Sequence, residues 1–118
     1  YPLRRQRQMC IRDRFNSDRV TPEFRSTLRK LANYLTQGQG FRSLVITGHT
    51  DSIGKMSYND RLSLKRATSV KTELSKVLPR EERSKIQALG RGEREPIADN
   101  GNYQGRTLNR RVEFNVIR

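Results

Sequence analysis

Residues 44–66 read LVITGHTDSIGKMSYNDRLSLKR, and this stretch decides the fold. Leu44, Val45, Ile46 and Thr47 are apolar or β-branched, as a buried strand requires, and the polar loop Gly48-His49-Thr50-Asp51-Ser52-Ile53-Gly54 follows them. Ser57-Tyr58-Asn59-Asp60 then matches a Ser-x-x-acid capping box and opens a helix that runs to about Leu78, where Pro79 ends it. Upstream, Thr21 is an N-cap candidate with Pro22 at the first helical position and Glu23 in the first turn. Phe24, Leu28, Leu31, Ala32 and Leu35 follow at helical spacing, and Gly38 and Gly40 stop that helix. Downstream, Ile86 to Leu89 reads as a strand, followed by a stretch broken at Gly90, Gly92, Pro96, Asn100, Gly101 and Gly105. Val112, Phe114 and Val116 finally alternate with Glu113 and Asn115, the period-two pattern of a strand with one buried face. The order is strand, helix, strand, helix, strand and closing strand (βαβαββ). The expected architecture is a two-layer α/β sandwich with the helices on one face of a mixed sheet.

At 118 residues there is room for one core, not two. The chain carries 25 Lys and Arg against 12 Asp and Glu, a formal charge of +13, under a mean hydropathy of −0.92. No run approaches the roughly 20 apolar residues that a membrane-crossing helix needs. The single Cys10 cannot form an intrachain disulfide, the single His49 excludes His-pair metal sites, and no cofactor is expected. Residues 1–14, YPLRRQRQMCIRDR, differ in composition from all that follows, so we expect a basic lead segment foreign to a domain spanning 15–118. Arg7, Gln8 and Met9 before Cys10 interrupt the apolar run that an export signal would need, so no export address is expected in this segment. Its five arginines and one aspartate account for four of the thirteen charges, leaving +9 to the domain.

Polar residues that break their local pattern point to a site. Leu62, Arg66, Val70, Leu74 and Leu78 form one i, i+4 row, and Arg66 interrupts it. A guanidinium there loses hydration and cannot shed its proton, so it needs a carboxylate or several acceptors. Asn59 falls seven residues earlier on the same face, and the loop carrying Thr50 and Asp51 leaves its strand at the same end of the domain. Two readings stand. In one, Asp51 caps a turn and forms a structural ion pair with Arg66. In the other the pair is split, Asp51 taking a ligand ammonium and Arg66 a ligand carboxylate, which would recognise an amino-acid head group. Elsewhere, Asn109-Arg110-Arg111 reads first as a solvated strand edge. Glu81-Glu82 and Glu93-x-Glu95 read as solvated surface. His49, Asp51 and Ser52 contain the atoms of a hydrolytic set, but neighbours on one loop rarely reach triad geometry, so no enzyme activity is expected.

Taken together, Thr47-Gly48-His49-Thr50-Asp51-Ser52-Ile53-Gly54, Tyr58-Asn59, Leu62-Ser63 and Arg66-Ala67 resemble the OmpA-like peptidoglycan-binding domain. Gly90-Arg91-Gly92, Pro96, Asn100 and Gly105-Arg106-Thr107-Leu108-Asn109-Arg110-Arg111-Val112-Glu113 are similar to that family's closing motif, in order, and the likeness spans Phe15 to Ile117. The resemblance implies non-covalent binding of the peptidoglycan stem peptide at meso-diaminopimelate, in the periplasm of a Gram-negative envelope. It would make Asp51 the partner of the ammonium and Arg66 that of the carboxylate. Thr50 and Asn59 would line the groove, Leu62 would support it, and Asn109 and Arg110 would close its other side. The family ends porins, lipoproteins and flagellar stator subunits, so membrane attachment would come only through an upstream segment. Two departures stand out. Asn16 occupies a position where aspartate is common in the family's Phe-Asp-Ser opening, and Met9 to Arg14 replaces the usual alternating first strand, which predicts a frayed sheet edge.

Two other classes compete. A pI near 11.0 is compatible with a basic nucleic-acid-binding module, yet four Tyr and four Phe with no aromatic-interleaved basic stripe give no stacking platform, so no nucleic-acid partner is expected. A wall amidase or peptidase would need a metal set or a reactive cysteine in a plausible site.

Overall fold

The computed structural model describes residues 6–12, 20–38 and 40–117. The elements are β1 (Gln6–Arg12), α1 (Pro22–Thr36), β2 (Ser43–His49), α2 (Met56–Val77), a 3-10 turn (Arg80–Lys85), β3 (Ile86–Gly90), α3 (Tyr103–Asn109) and β4 (Arg111–Ile117). The sheet order is β1-β4-β2-β3, with β4 antiparallel to both β1 and β2, and β2 parallel to β3. This is the expected mixed sheet. Leu44 and Ile46 of β2 and Val112, Phe114 and Val116 of β4 face the helices and are buried, while on the other face Ser43, Val45, Thr47, Glu113, Asn115 and Ile117 are half-buried. Phe24, Leu28, Leu31 and Leu35 of α1 and Ala67, Val70 and Leu74 of α2 complete one core with them. No helix among the described residues is long and apolar enough to cross a membrane.

Local chemistry explains most boundaries. Thr21 caps α1 as expected: its Oγ1 accepts the Phe24 N–H at 3.2 Å, and Pro22 occupies the first turn. The capping box expected at Ser57 does not form. Lys55 takes the extended N-cap conformation (φ −73°, ψ 143°), and the Asn59 N–H donates to the Lys55 carbonyl at 3.0 Å, which places Ser57 inside the first turn. Asp60, the acid of that box, is instead held by the Arg94 guanidinium, a charge-assisted partner stronger than a neutral backbone amide. That pairing holds the Asp60 carboxyl below its ordinary pKa.

Two expectations are corrected. The glycine-broken stretch before β4 contains α3, whose Asn102 cap accepts the Gly105 N–H at 2.6 Å; seven residues are too few to show a helical period in sequence. The sheet edge is not frayed, because Gln6–Arg12 pairs with β4 residue by residue from Gln6↔Ile117 to Arg12↔Arg111. The sheet therefore extends beyond the boundary expected at residue 15. Phe15 to Asp18, including Asn16, lie outside the described residues.

What positions the site is the approach of α2 to the ends of β2 and β3. A Cβ at Gly48 would overlap the Ser63 carbonyl, and one at Gly90 would come within 2.6 Å of the Leu64 backbone nitrogen. Helix backbone cannot yield as a side-chain tip would, so both positions exclude larger residues. Gly48→Ala is expected to cost about 1–3 kcal/mol in urea denaturation, whereas Gly101→Ala, where the added carbon meets only the Asp99 carboxylate in solvent, stays within about 0.5 kcal/mol.

Candidate functional site

The loop after β2 is tied to its surroundings through backbone. The Thr50 N–H donates to the Gly92 carbonyl at 2.8 Å, and the Arg91 N–H donates to the Gly48 carbonyl at 3.0 Å. Asp51 is then fixed from both sides. Its Oδ1 accepts the Ile53 N–H at 3.0 Å, an Asx-type turn, and its carbonyl accepts Thr50 Oγ1–H at 2.9 Å. Asn59, in the first turn of α2, donates from Nδ2 to the Asp51 carbonyl at 3.3 Å and the Ile53 carbonyl at 3.1 Å, clamping loop to helix. Asp51 is only 7% exposed, and Arg66, two helical turns beyond Asn59 on the same face of α2, only 5%. Helical side chains lean toward the N-terminus, so Arg66 leans toward this loop. Leu62 is half-buried between Asn59 and Arg66 along that face.

The segment from Gly92 to Arg110 supplies the facing wall. Arg110 Nη1 lies 3.4 Å from Asp51 Oδ2, and Nη2 donates to Thr107 Oγ1 at 3.1 Å. Its guanidinium carbon stands 6.0 Å from the centre of the Tyr103 ring, within cation–π range. Of the residues singled out from the sequence, Thr50, Asp51, Asn59 and Arg110 lie together, and the partner given for Asp51 is Arg110, from the opposite side. Asn109 plays another part than groove contact. Its Oδ1 accepts the Ile97 and Ala98 N–H groups at 2.7 and 3.0 Å, and its Nδ2 donates to the Ala98 carbonyl and Asn100 Oδ1 at 2.9 and 2.7 Å. All four bonds an amide can make are consumed, so Asn109 shapes the 97–100 loop and has none left for a ligand.

Three residues read as surface or as part of a hydrolytic set are structural, two of them buried and Glu93 half-buried. Arg111, expected at a solvated edge, is buried; its Nε donates to Glu113 Oε2 at 2.9 Å and its Nη2 to the Glu95 carbonyl at 2.9 Å. Glu93, expected in solvent, accepts from Asn59 Nδ2 at 3.4 Å. His49 is 1% exposed and turns into the sheet, with Nε2 3.0 Å from Glu113 Oε1. Arginine and glutamate two apart on a strand share a face, and the antiparallel register sets His49 opposite Arg111, so the pattern was present once the pairing was known. Ser52 is exposed on the loop while His49 is sealed below it, which separates these members of the hydrolytic set. Among the described residues no group of three or more His, Cys, Asp or Glu is placed to hold a metal ion.

Burial, reinforced by the Arg111 charge, pushes the His49 pKa below 6.5 despite the opposing pull of Glu113. Burial alone would raise the Glu113 carboxyl, but the hydrogen bond and charge of Arg111, with those of His49, outweigh it and hold the pKa below 4.5. Glu113 is then an ionised acceptor, so Nε2 carries the imidazole proton, and Nδ1 is buried with no partner among the described residues. Because the folded His49 pKa lies below the unfolded one, the unfolded chain takes up a proton first. Stability from this group is complete above about pH 6.5 and is lost as pH falls toward the folded pKa; Glu113 adds a second loss below about pH 4.5. Urea midpoints are expected to fall between pH 7 and pH 5 in the native chain and to stay flat over that window in His49→Gln.

Comparison with known proteins shows the family and the fold. The chain is 39% identical over 111 residues to outer membrane porin F of Pseudomonas fluorescens, covering 92% of this chain and 32% of that protein. It therefore spans about a third of that relative's length. Its fold matches the cell wall anchor of the T6SS from Pseudomonas aeruginosa with a TM-score of 0.80 and 32% identity, covering 95% of this chain and 81% of that one. The peptidoglycan-associated lipoprotein from Burkholderia pseudomallei matches with a TM-score of 0.76 and 28% identity, over 92% of this chain and 89% of the other. The OmpA family profile covers residues 14–110, most of the described domain, and the chain belongs to the OmpA family.

Proposed function

We propose that this chain is a non-catalytic anchor that binds peptidoglycan through the meso-diaminopimelate of the stem peptide. The observation that carries the reading is the near-complete burial of two opposite charges, Asp51 on the β2–α2 loop and Arg66 on the α2 face that carries the Asn59 clamp. Asp51 takes the ammonium of the ligand and Arg66 its carboxylate; Thr50 and Asn59 shape the floor, Leu62 gives apolar support, and Arg110 closes the far side. Asn109 holds the loop that forms that side. A zwitterionic head group offers an ammonium to Asp51 and a carboxylate to Arg66 at once. The relatives named a cell wall anchor and a peptidoglycan-associated lipoprotein support wall binding, and porin F supports a place in the outer envelope. The formal charge of +13 suits a ligand mesh rich in carboxylates and adds salt-dependent attraction. In this reading the domain acts in the periplasm.

The test is co-sedimentation of the whole chain with diaminopimelate-type sacculi at moderate salt, beside Asp51→Ala and Arg66→Ala variants shown to be folded by circular dichroism. Removing one member of a buried charged contact costs about 2–5 kcal/mol, so each variant is expected to lose at least about 30-fold in affinity. Equal pelleting of all three proteins would reduce binding to diffuse electrostatics and overturn the site. Parallel binding to DNA that survives the same salt would favour the nucleic-acid alternative.

A further inference from the structure

Tyr103 is the most exposed large apolar side chain among the described residues, at 66%, and it lies against Arg110. Arg110 in turn is shared among three partners. Thr107 Oγ1 at 3.1 Å and the Tyr103 ring at 6.0 Å both belong to α3, the helix that Arg110 itself terminates. The third partner, Asp51 Oδ2 at 3.4 Å, lies across the groove, at a separation wider than the 2.7–2.9 Å of a charge-assisted hydrogen bond. The contact is an open ion pair rather than a closed clasp. Asp51 meanwhile keeps its Ile53 N–H on the other oxygen, so the carboxylate stays oriented whichever cation faces Oδ2.

We propose that Arg110 is the built-in counter-ion of Asp51, displaced by the ligand's ammonium and then held at the groove rim by Tyr103 and Thr107, where it takes a ligand carboxylate. This rests on the reading of Asp51 as the ammonium site. The physical logic is that of specificity. A nearly buried carboxylate facing an arginine is closed to simple amines, because an amine must break the existing pair and leaves a guanidinium with lost Coulomb energy. An amino acid repays that loss, since its own carboxylate gives the displaced guanidinium a new partner. Arg110 thereby selects zwitterions over amines, and Tyr103 is a positioning residue that limits how far the displaced side chain wanders.

The experiment titrates the full chain with meso-diaminopimelate and with 1,5-diaminopentane, an ammonium without a carboxylate, by calorimetry. The variants are Arg110→Ala, Tyr103→Leu and Tyr103→Phe, with melting curves to verify folding. Arg110→Ala is expected to bind the diamine about three- to fivefold tighter than the native chain and diaminopimelate more weakly, so that the preference for diaminopimelate falls about tenfold. Tyr103→Leu weakens diaminopimelate about two- to threefold, while Tyr103→Phe, which keeps the ring face, behaves as native. In the ligand-free protein, the Arg110 Nε resonance is expected to shift in Asp51→Asn. If the native chain binds diaminopimelate but Arg110→Ala gains nothing for the diamine, or if that resonance does not move, the counter-ion role is wrong while the site stands. If the native chain does not bind diaminopimelate, the site reading and this proposal fall together.

Discussion

The close approach of α2 to the ends of β2 and β3 is the constraint on which the rest depends. Gly48 and Gly90 let the helix backbone at Ser63 and Leu64 touch the strands directly. At that distance Ser63 Oγ–H donates to the Asp60 carbonyl at 2.9 Å, and the Gly92 N–H donates to Ser63 Oγ at 2.9 Å, so the loop after β3 is pinned to the helix. The Thr50 N–H to Gly92 carbonyl bond then fixes the loop after β2 to that same loop. Both loops are thus positioned by one helix rather than by each other alone. A residue with a side chain at either glycine would push α2 away and open the Gly92 N–H to Ser63 Oγ bond that pins the loop to the helix.

On this rigid frame the domain stores charge where water cannot fully reach it. Asp51 and Arg66 are buried, and Arg111 donates to Glu113 and to the Asn109 and Glu95 backbone carbonyls. The two layers do different work. The Arg111–Glu113–His49 set is closed, and it ties β4 to the end of β2 and to the Glu95 carbonyl; this is structural charge. The Asp51–Arg110 contact is open and spans the groove. Closed networks fix geometry, whereas a loosely paired carboxylate keeps capacity for a ligand.

Most of the fold was legible because its signals are local. The Thr21-Pro22-Glu23 start, the apolar row along α2 and the alternation in β4 each report a single element, and each appears where expected. Arg66 and Asn59 announced themselves as polar residues on an apolar stripe. What sequence hid depends on pairing across the chain. Asp60 looked like a capping acid because its real partner, Arg94, is 34 positions away. Arg111 looked like an edge charge because its burial follows from the loop carrying Glu95 folding over β4. Asn109 carried a family motif, but only the coordinates show that its amide is spent on the 97–100 loop. The lead segment looked foreign by composition, and composition says nothing about the backbone pairing with β4 that Gln6–Arg12 makes.

In the proposed reading the wall ligand enters between the β2–α2 loop and α3, not onto the basic flank of the helices. Amide chemical-shift mapping with a soluble muropeptide ending in meso-diaminopimelate tests it most directly. Perturbations are expected to concentrate at Thr50, Asp51, Ile53, Asn59 and Arg110, with α1 unmoved. Perturbations centred instead on Arg25, Arg29 and Lys76, with the Asp51 loop silent, would contradict it.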